Sequence, residues 1–174
     1  MAEYVESKKK GDIGEEEILI ILQRKYSEAY IDETDIPNSD WDIFIPEINV
    51  GVEVKCDYES NNTGNIVIEV EMRGKLSALS VTKSKYWVFI TGYRYIWIKP
   101  IEIYRFLEQH FEYGRVPITG SGDKSPKIGY LVNLNAFVKY IRNNLSKDDG
   151  WINMIGKNEV MYYDNYMKKI EEIK

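Results

Sequence analysis

The sequence predicts an α/β or α+β domain, a β-sheet with helices on both faces. Three observations predict it. Runs with helical spacing are interleaved with short β-rich runs in the order helix, three strands, helix, two strands, then helices. Hydrophobic residues are 44% of 174, enough apolar material for a sizeable core. Charged residues are 29%, ordinary globular usage, which excludes disorder along the whole chain.

The first helix is expected over residues 11–26, GDIGEEEILIILQRKY, where an acidic opening runs into good helix formers and Ile18, Ile21 and Leu22 share one face. WDIFIP and INVGVEVKC follow as an antiparallel hairpin turning through Pro46 to Asn49. NIVIEVEM alternates Ile66, Ile68 and Val70 against Val67, Glu69 and Glu71, giving a third strand. RGKLSALSVTKSKY reads as a short helix or helical turn contributing Leu76, Leu79 and Val81. The strands WVFI and YIWIKP come next, then a helix in IEIYRFLEQHFEY with Ile103, Phe106 and Leu107 on one face. VPITGSGDKSPK is read as a loop from Pro117, Gly120, Gly122 and Pro126. IGYLVNL is a strand and NAFVKYIRNNL a helix, and an amphipathic helix is expected from about Val160. The expected organisation is one domain over residues 1–174, with residues 134–174 a helical C-terminal extension.

Composition narrows the function classes. One Cys and one His make neither an internal disulfide nor a structural zinc site, so a reducing, intracellular setting is expected. The opening MAEYVESKKK lacks the build of a secretory signal. The longest aliphatic run, Ile18 to Leu22, is far shorter than the roughly 20 residues of a membrane span, so the expectation is a soluble, cytoplasmic protein. The net charge of −5 is unevenly spread: residues 1–71 hold 6 basic and 18 acidic side chains, residues 72–147 hold 13 basic and 4 acidic. Such a chain could hold a divalent metal with one part and a polyanion with the other, or both parts could be solvated faces.

The chemistry concentrates in the hairpin. In GVEVKC, Glu53 and Lys55 share one face of the strand, while Val52, Val54 and Cys56 share the other. If the hairpin pairs as read, Asp42 comes close to Glu53, with Asp40 on the same face. Two neighbouring carboxylates repel unless a divalent cation bridges them, and hard oxygen ligands suit magnesium or manganese; ordinary surface ion pairs are the other reading. Arg73, Lys75, Lys83 and Lys85 follow these strands and are candidate contacts for the phosphates of a polyanion, or else solvated cations. His110 lies in no nucleophile motif and reads as structural or exposed. Cys56 points to the core side, and GSGDKSP lacks the context of a phosphate-binding loop.

These residues resemble the PD-(D/E)XK nuclease superfamily, and within it the Holliday-junction resolvases and small phage nucleases. The match is Gly11 followed by Glu15 on the first helix, Asp42 in an Asp-Ile-Phe-Ile strand, and Glu53-Val54-Lys55 on the next. GKLSALSVTKSKYWVFI is similar to the helix-to-strand segment that follows the catalytic strands in several phage members. The likeness covers residues 11–90, and more loosely reaches residue 133; Trp41 stands where the motif has proline. It implies a restriction-endonuclease-like fold, a mixed central sheet flanked by helices. It implies Asp42 and Glu53 as metal-binding carboxylates, with the Val54 carbonyl a further ligand for Mg2+ or, in its place, Mn2+. Lys55 would orient or activate the attacking water and offset phosphate charge, and Glu15 would assist metal or water, with Glu16 and Glu17 beside it as alternatives. The implied activity is a metal-dependent nuclease cutting DNA, structure-selective and resolvase-like, working as a homodimer in the cytoplasm, including that of a viral host. An exonuclease or RNA-directed nuclease on the same fold, and a non-cutting nucleic-acid-binding protein, are the alternatives.

Overall fold

The computed structural model describes residues 2–32, 40–92, 94–118 and 125–154. Helix α1 (Ala2–Gln23) begins well before residue 11. The Ala, Glu and Lys of the preceding segment are strong helix formers with no apolar periodicity, so propensity extends the helix where pattern gives no sign of it. Its buried face is Gly14 and Ile18, with Ile21 and Leu22 half-buried beside them. Amides of Lys25 and Tyr26 bonded to the Leu22 carbonyl close its end short of residue 26.

Nine further chain segments set the frame. In order they are β1 (Tyr30–Ile31), β2 (Ile43–Ile45), β3 (Val50–Cys56), the single-turn α2 (Ser60–Thr63), β4 (Asn65–Met72), β5 (Lys75–Leu76), β6 (Tyr86–Thr91), β7 (Arg94–Ile98) and α3 (Pro100–Gln109). They are followed by β8 (Arg115–Ile118), β9 (Lys127–Asn133), α4 (Leu134–Asn144) and β10 (Gly150–Met154).

The strands form two sheets, where the sequence led us to expect one. The larger has the order β1-β2-β3-β6-β7-β10 and is mixed, because β3 and β6 run parallel while its other pairs are antiparallel. The smaller, β5-β4-β9-β8, is antiparallel throughout. β4 is the predicted third strand with its predicted alternation, yet it leaves β3 and founds the second sheet. The side chains explain the division. β6 is buried along almost its whole length, as suits a central strand covered on both faces, whereas β4 buries only alternate residues.

Layers stack on both faces of the large sheet. On one face Ile18 of α1 packs with Ile43, Val52, Val54, Val88 and Ile90. On the other, Trp87, Phe89, Ile96 and Ile98 meet Phe106 of α3, Phe137 and Ile141 of α4, and Ile66, Ile68 and Val132 of the small sheet. Helices thus flank the mixed sheet on both sides, as expected. No described helix is long and apolar enough to cross a membrane.

Three expectations are corrected. The expected second helix is only the hairpin strand β5 and a 3-10 turn at Ala78–Ser80, and of its apolar residues Leu79 alone enters the core, Leu76 and Val81 staying exposed. The expected loop from Val116 begins as strand β8, at the edge of the small sheet, where Pro117 forfeits no ladder bond that a central strand would need; residues 119–124 lie outside the described residues. The stretch after residue 134 is not wholly helical. Helix α4 packs into the core, and β10 adds a strand to the large sheet, stacking Trp151 on Trp97 with centroids 5.1 Å apart. The helix expected from Val160 lies outside the described residues.

Candidate active site

The β2–β3 hairpin positions the central groups. A 3-10 turn at Pro46–Ile48, closed by Asn49 at φ 53°, joins the strands and sets Ile43 opposite Val52. The next position in that register puts Asp42 across from Glu53. The Asp42 amide donates to the Val52 carbonyl at 3.0 Å, and its Oδ2 accepts from the Val54 amide at 2.6 Å. Backbone bonds on both sides therefore hold the carboxylate at the strand entrance.

Glu53 and Lys55 emerge on the sheet face of Trp87 and Phe89, their neighbours on β6. Lys55 Nζ lies 2.5 Å from Glu53 Oε1 and 5.2 Å from the centre of the Trp87 ring. That ring is itself fixed by its Nε1 donating to Thr82 Oγ1 at 3.0 Å. The ammonium is thus placed by a carboxylate on its own strand and an aromatic face on the parallel one.

α1 brings the third carboxylate. Gly14 packs so closely on the end of β3 that a Cβ there would lie 2.1 Å from Cys56 Sγ. The next residue, Glu15, is thereby held where it interacts with Asp42, Lys55 and Glu53. Of the three adjacent glutamates it is the one turned to these residues: Glu16 is exposed, and Glu17 accepts a hydrogen bond from the buried Tyr95 hydroxyl.

The electrostatics record the crowding. The Glu15 carboxyl is pushed up to about 7, first by burial and then by Asp42. Asp42 rises to about 6, again through burial first and Glu53 second, with Lys55 and the Val54 amide pulling the other way. Burial works against the Lys55 ammonium, but Glu53 and Asp42 outweigh it, and its pKa lies above the usual lysine value. Burial pushes the Cys56 thiol up to about 12, which leaves it no thiolate at neutral pH.

A prediction follows for the metal-free protein. A carboxyl whose folded pKa is raised binds its proton more tightly folded than unfolded, so its contribution is present below the unfolded value and is lost as pH climbs to the folded one. For Glu15 that window runs from 4.5 to about 7. Denaturant unfolding in EDTA should show lower stability at pH 8 than at pH 5, with Glu15 contributing about 1–2 kcal/mol after allowance for its solvent contact. Glu15→Gln should flatten that part of the profile and be the more stable protein at pH 8; an unchanged profile would contradict the burial of Glu15 among carboxylates.

Glu53 and Lys55 open into a cleft of about 490 Å3, also lined by Asp40, Glu69, Ser77, Ala78 and Lys83. Each carboxylate named there has a lysine: Lys55 on Glu53, Lys83 at 2.9 Å from Asp40, and Lys127 at 3.3 Å from Glu69. Of the four candidate phosphate contacts, Lys83 lines the cleft. Arg73 and Lys75 sit at the tip of the β4–β5 hairpin between the lining residues Met72 and Leu76. Lys85 stands outside it, its ammonium 5.9 Å from the Tyr86 ring centre. Glu69, Thr82 and Trp87 were not picked out from sequence. Glu69 and Glu71 share one alternation, and only the second sheet's placement distinguishes them. His110 has the expected structural role, its Nδ1 2.9 Å from the Phe106 carbonyl and its ring stacked on Phe106.

The donor set fits a hard divalent ion in one respect: Asp42 and Glu53 are adjacent oxygen donors of like charge, and the Asp42 pKa registers their repulsion. Among the described residues, no three His, Cys, Asp or Glu side chains group closely enough to hold a metal unaided. A two-carboxylate site completed by water is the arrangement magnesium commonly takes. Comparison of the chain with protein-family models, with curated proteins and with solved structures returns no match.

Proposed function

We propose that this protein is a metal-dependent nuclease of the PD-(D/E)XK kind, an endonuclease acting on branched or otherwise structured DNA. The observation that carries the proposal is the convergence of Asp42, Glu53 and Lys55 from one hairpin with Glu15 from α1. Asp42 and Glu53 would hold Mg2+ or Mn2+, with the Val54 carbonyl and water completing the ligand set. When bound, such an ion supplies Lewis-acid stabilisation of the phosphoryl oxygens and the leaving oxygen.

The protein's own groups account for the rest. Lys55 places a positive charge where the phosphate gains negative charge, and its fixed ammonium can hold the attacking water by a hydrogen bond. Glu15, held beside these groups on α1, is placed to take a proton from that water. In the net reaction water adds to phosphorus, the bond from phosphorus to the 3′ oxygen breaks, and that oxygen leaves with a proton. Lys83, with Arg73 and Lys75 on the hairpin, would hold neighbouring phosphates. Two symmetric cuts at a junction call for two related sites, so the proposal includes a homodimer, acting inside the cell.

The test is cleavage of a panel containing a four-way junction, a flap, linear duplex, single-stranded DNA and RNA, in Mg2+, Mn2+ or EDTA. The wild type should cut the branched DNAs in Mg2+ or Mn2+ and nothing in EDTA, while Asp42→Asn should require far more metal. Binding without cutting on every substrate would assign the protein to nucleic-acid binding, and preferred cutting of strand ends or RNA would redirect the substrate.

A further inference from the structure

We infer that the tip of the β4–β5 hairpin is an apolar wedge that holds an unstacked nucleobase beside the scissile phosphate. The inference rests on the nuclease reading and specifies what its cleft takes. The hairpin turns through Arg73 and Gly74 at φ 53° and 75°, the left-handed pair that a two-residue type I′ turn requires. Arginine is disfavoured there, and it is tied down: its amide donates to the Pro126 carbonyl at 2.8 Å, and its Nε and Nη2 lie 3.0 and 2.7 Å from Ser125 Oγ. Ala78, just beyond β5, is a second non-glycine residue at positive φ, 44°. Strain of this kind persists only where surrounding structure imposes it, and it gathers at ligand clamps.

Apart from Ser77, the strained segment shows the cleft apolar side chains. Met72, Leu76 and Val81 line it while remaining 38%, 63% and 55% exposed, Met72 on the hairpin face it shares with Lys75 and Leu76 on the opposite face beside Glu71. The same cleft holds Lys55 and Lys83, with Asp40, Glu53 and Glu69 each ion-paired to a lysine, and Arg73 and Lys75 lie between Met72 and Leu76 at the hairpin tip. A flat apolar group with anionic groups to either side matches that pattern, and a nucleobase between its phosphates is such a group. The cleft volume, about 490 Å3, is that of a small-molecule pocket. It accommodates a nucleotide or two. Methionine and leucine are side chains with which DNA-bending proteins part stacked bases. Bases at a branch point, already poorly stacked, enter such a wedge most easily.

The experiment places 2-aminopurine, which brightens when unstacked, at the branch of a DNA flap and within a linear duplex. Both are titrated with the full chain in EDTA, where no cutting occurs. The wild type should brighten the branch-point probe several-fold. Met72→Ala/Leu76→Ala should lose that signal and about tenfold of its preference for flap over duplex, with its unfolding temperature unchanged. Leu131→Ala, an exposed apolar residue outside the cleft, should keep both. Binding by the wild type with no brightening, or a double variant that brightens and discriminates as the wild type does, overturns the wedge and leaves the nuclease reading standing. Absence of binding in EDTA overturns the wedge, and absence of binding to any nucleic acid in Mg2+ as well overturns both.

Discussion

Lys55→Ala is expected to lower metal-dependent cleavage by about 10²–10³-fold at saturating magnesium, the range seen when one preorganised charge-stabilising donor is removed from an active site. The loss should appear in the chemical step and not in metal binding. Lys55 Nζ lies against one oxygen of Glu53, so its removal frees a carboxylate oxygen and takes no ligand away. Asp42→Asn should behave the other way, raising the metal concentration needed for half-maximal rate, because it removes one of two adjacent anionic donors. Rate against magnesium concentration for the two variants separates the roles. A Lys55→Ala protein that cuts at the wild-type rate would remove the lysine from the proposed chemistry altogether.

Gly14→Ala should damage the protein although it is a small change away from the cleft. Alanine favours a helix interior over glycine by about 1 kcal/mol, so propensity alone predicts stabilisation. Packing predicts the reverse: the new Cβ would lie 2.1 Å from Cys56 Sγ and 3.1 Å from Ile90 Cδ1, both in the core beneath α1. Overpacking of this kind costs about 1–3 kcal/mol before the helix lifts, and lifting it would also carry Glu15 away from Asp42. Contacts this close put the cost in the upper part of that range, about 2–3 kcal/mol, so the expected net result is a protein about 1–2 kcal/mol less stable to denaturant. Cys56→Ala in the same chain should recover most of that loss, since the nearest remaining Cys56 atom, Cβ, is 3.7 Å away, an ordinary contact. A single variant as stable as wild type, or a double variant without recovery, would contradict the described seating of α1.

The parts of the fold that the sequence revealed are those whose cause is local. The β2–β3 hairpin could be read because alternation and the turn after Ile45 lie within one short stretch, and its register then placed Asp42 opposite Glu53. The second sheet could not be read, because β4 finds its partner β9 some 60 residues away and nothing in NIVIEVEM names that partner. Strand β8 was obscured by Pro117, a breaker in a central strand and harmless at an edge. In the site, the choice among Glu15, Glu16 and Glu17 depends on the rotation of α1, which Gly14 sets by its contact with Cys56. The face of Trp87 under Lys55 depends on the parallel pairing of β3 with β6, again a distant event.

That parallel pairing means that the candidate site cannot be carried by the segment that spells its motif. A peptide ending at residue 80 would contain Glu15, Asp42, Glu53 and Lys55 in full, yet it would lack Trp87, Val88 and Phe89 and with them the strand against which β3 is held. Closing the 29-residue crossover between Cys56 and Tyr86 must be offset by burial in both core layers at once. Assembly of the chemical groups and consolidation of the core are therefore expected as one cooperative event, in which a partly folded chain carries the motif without its electrostatics.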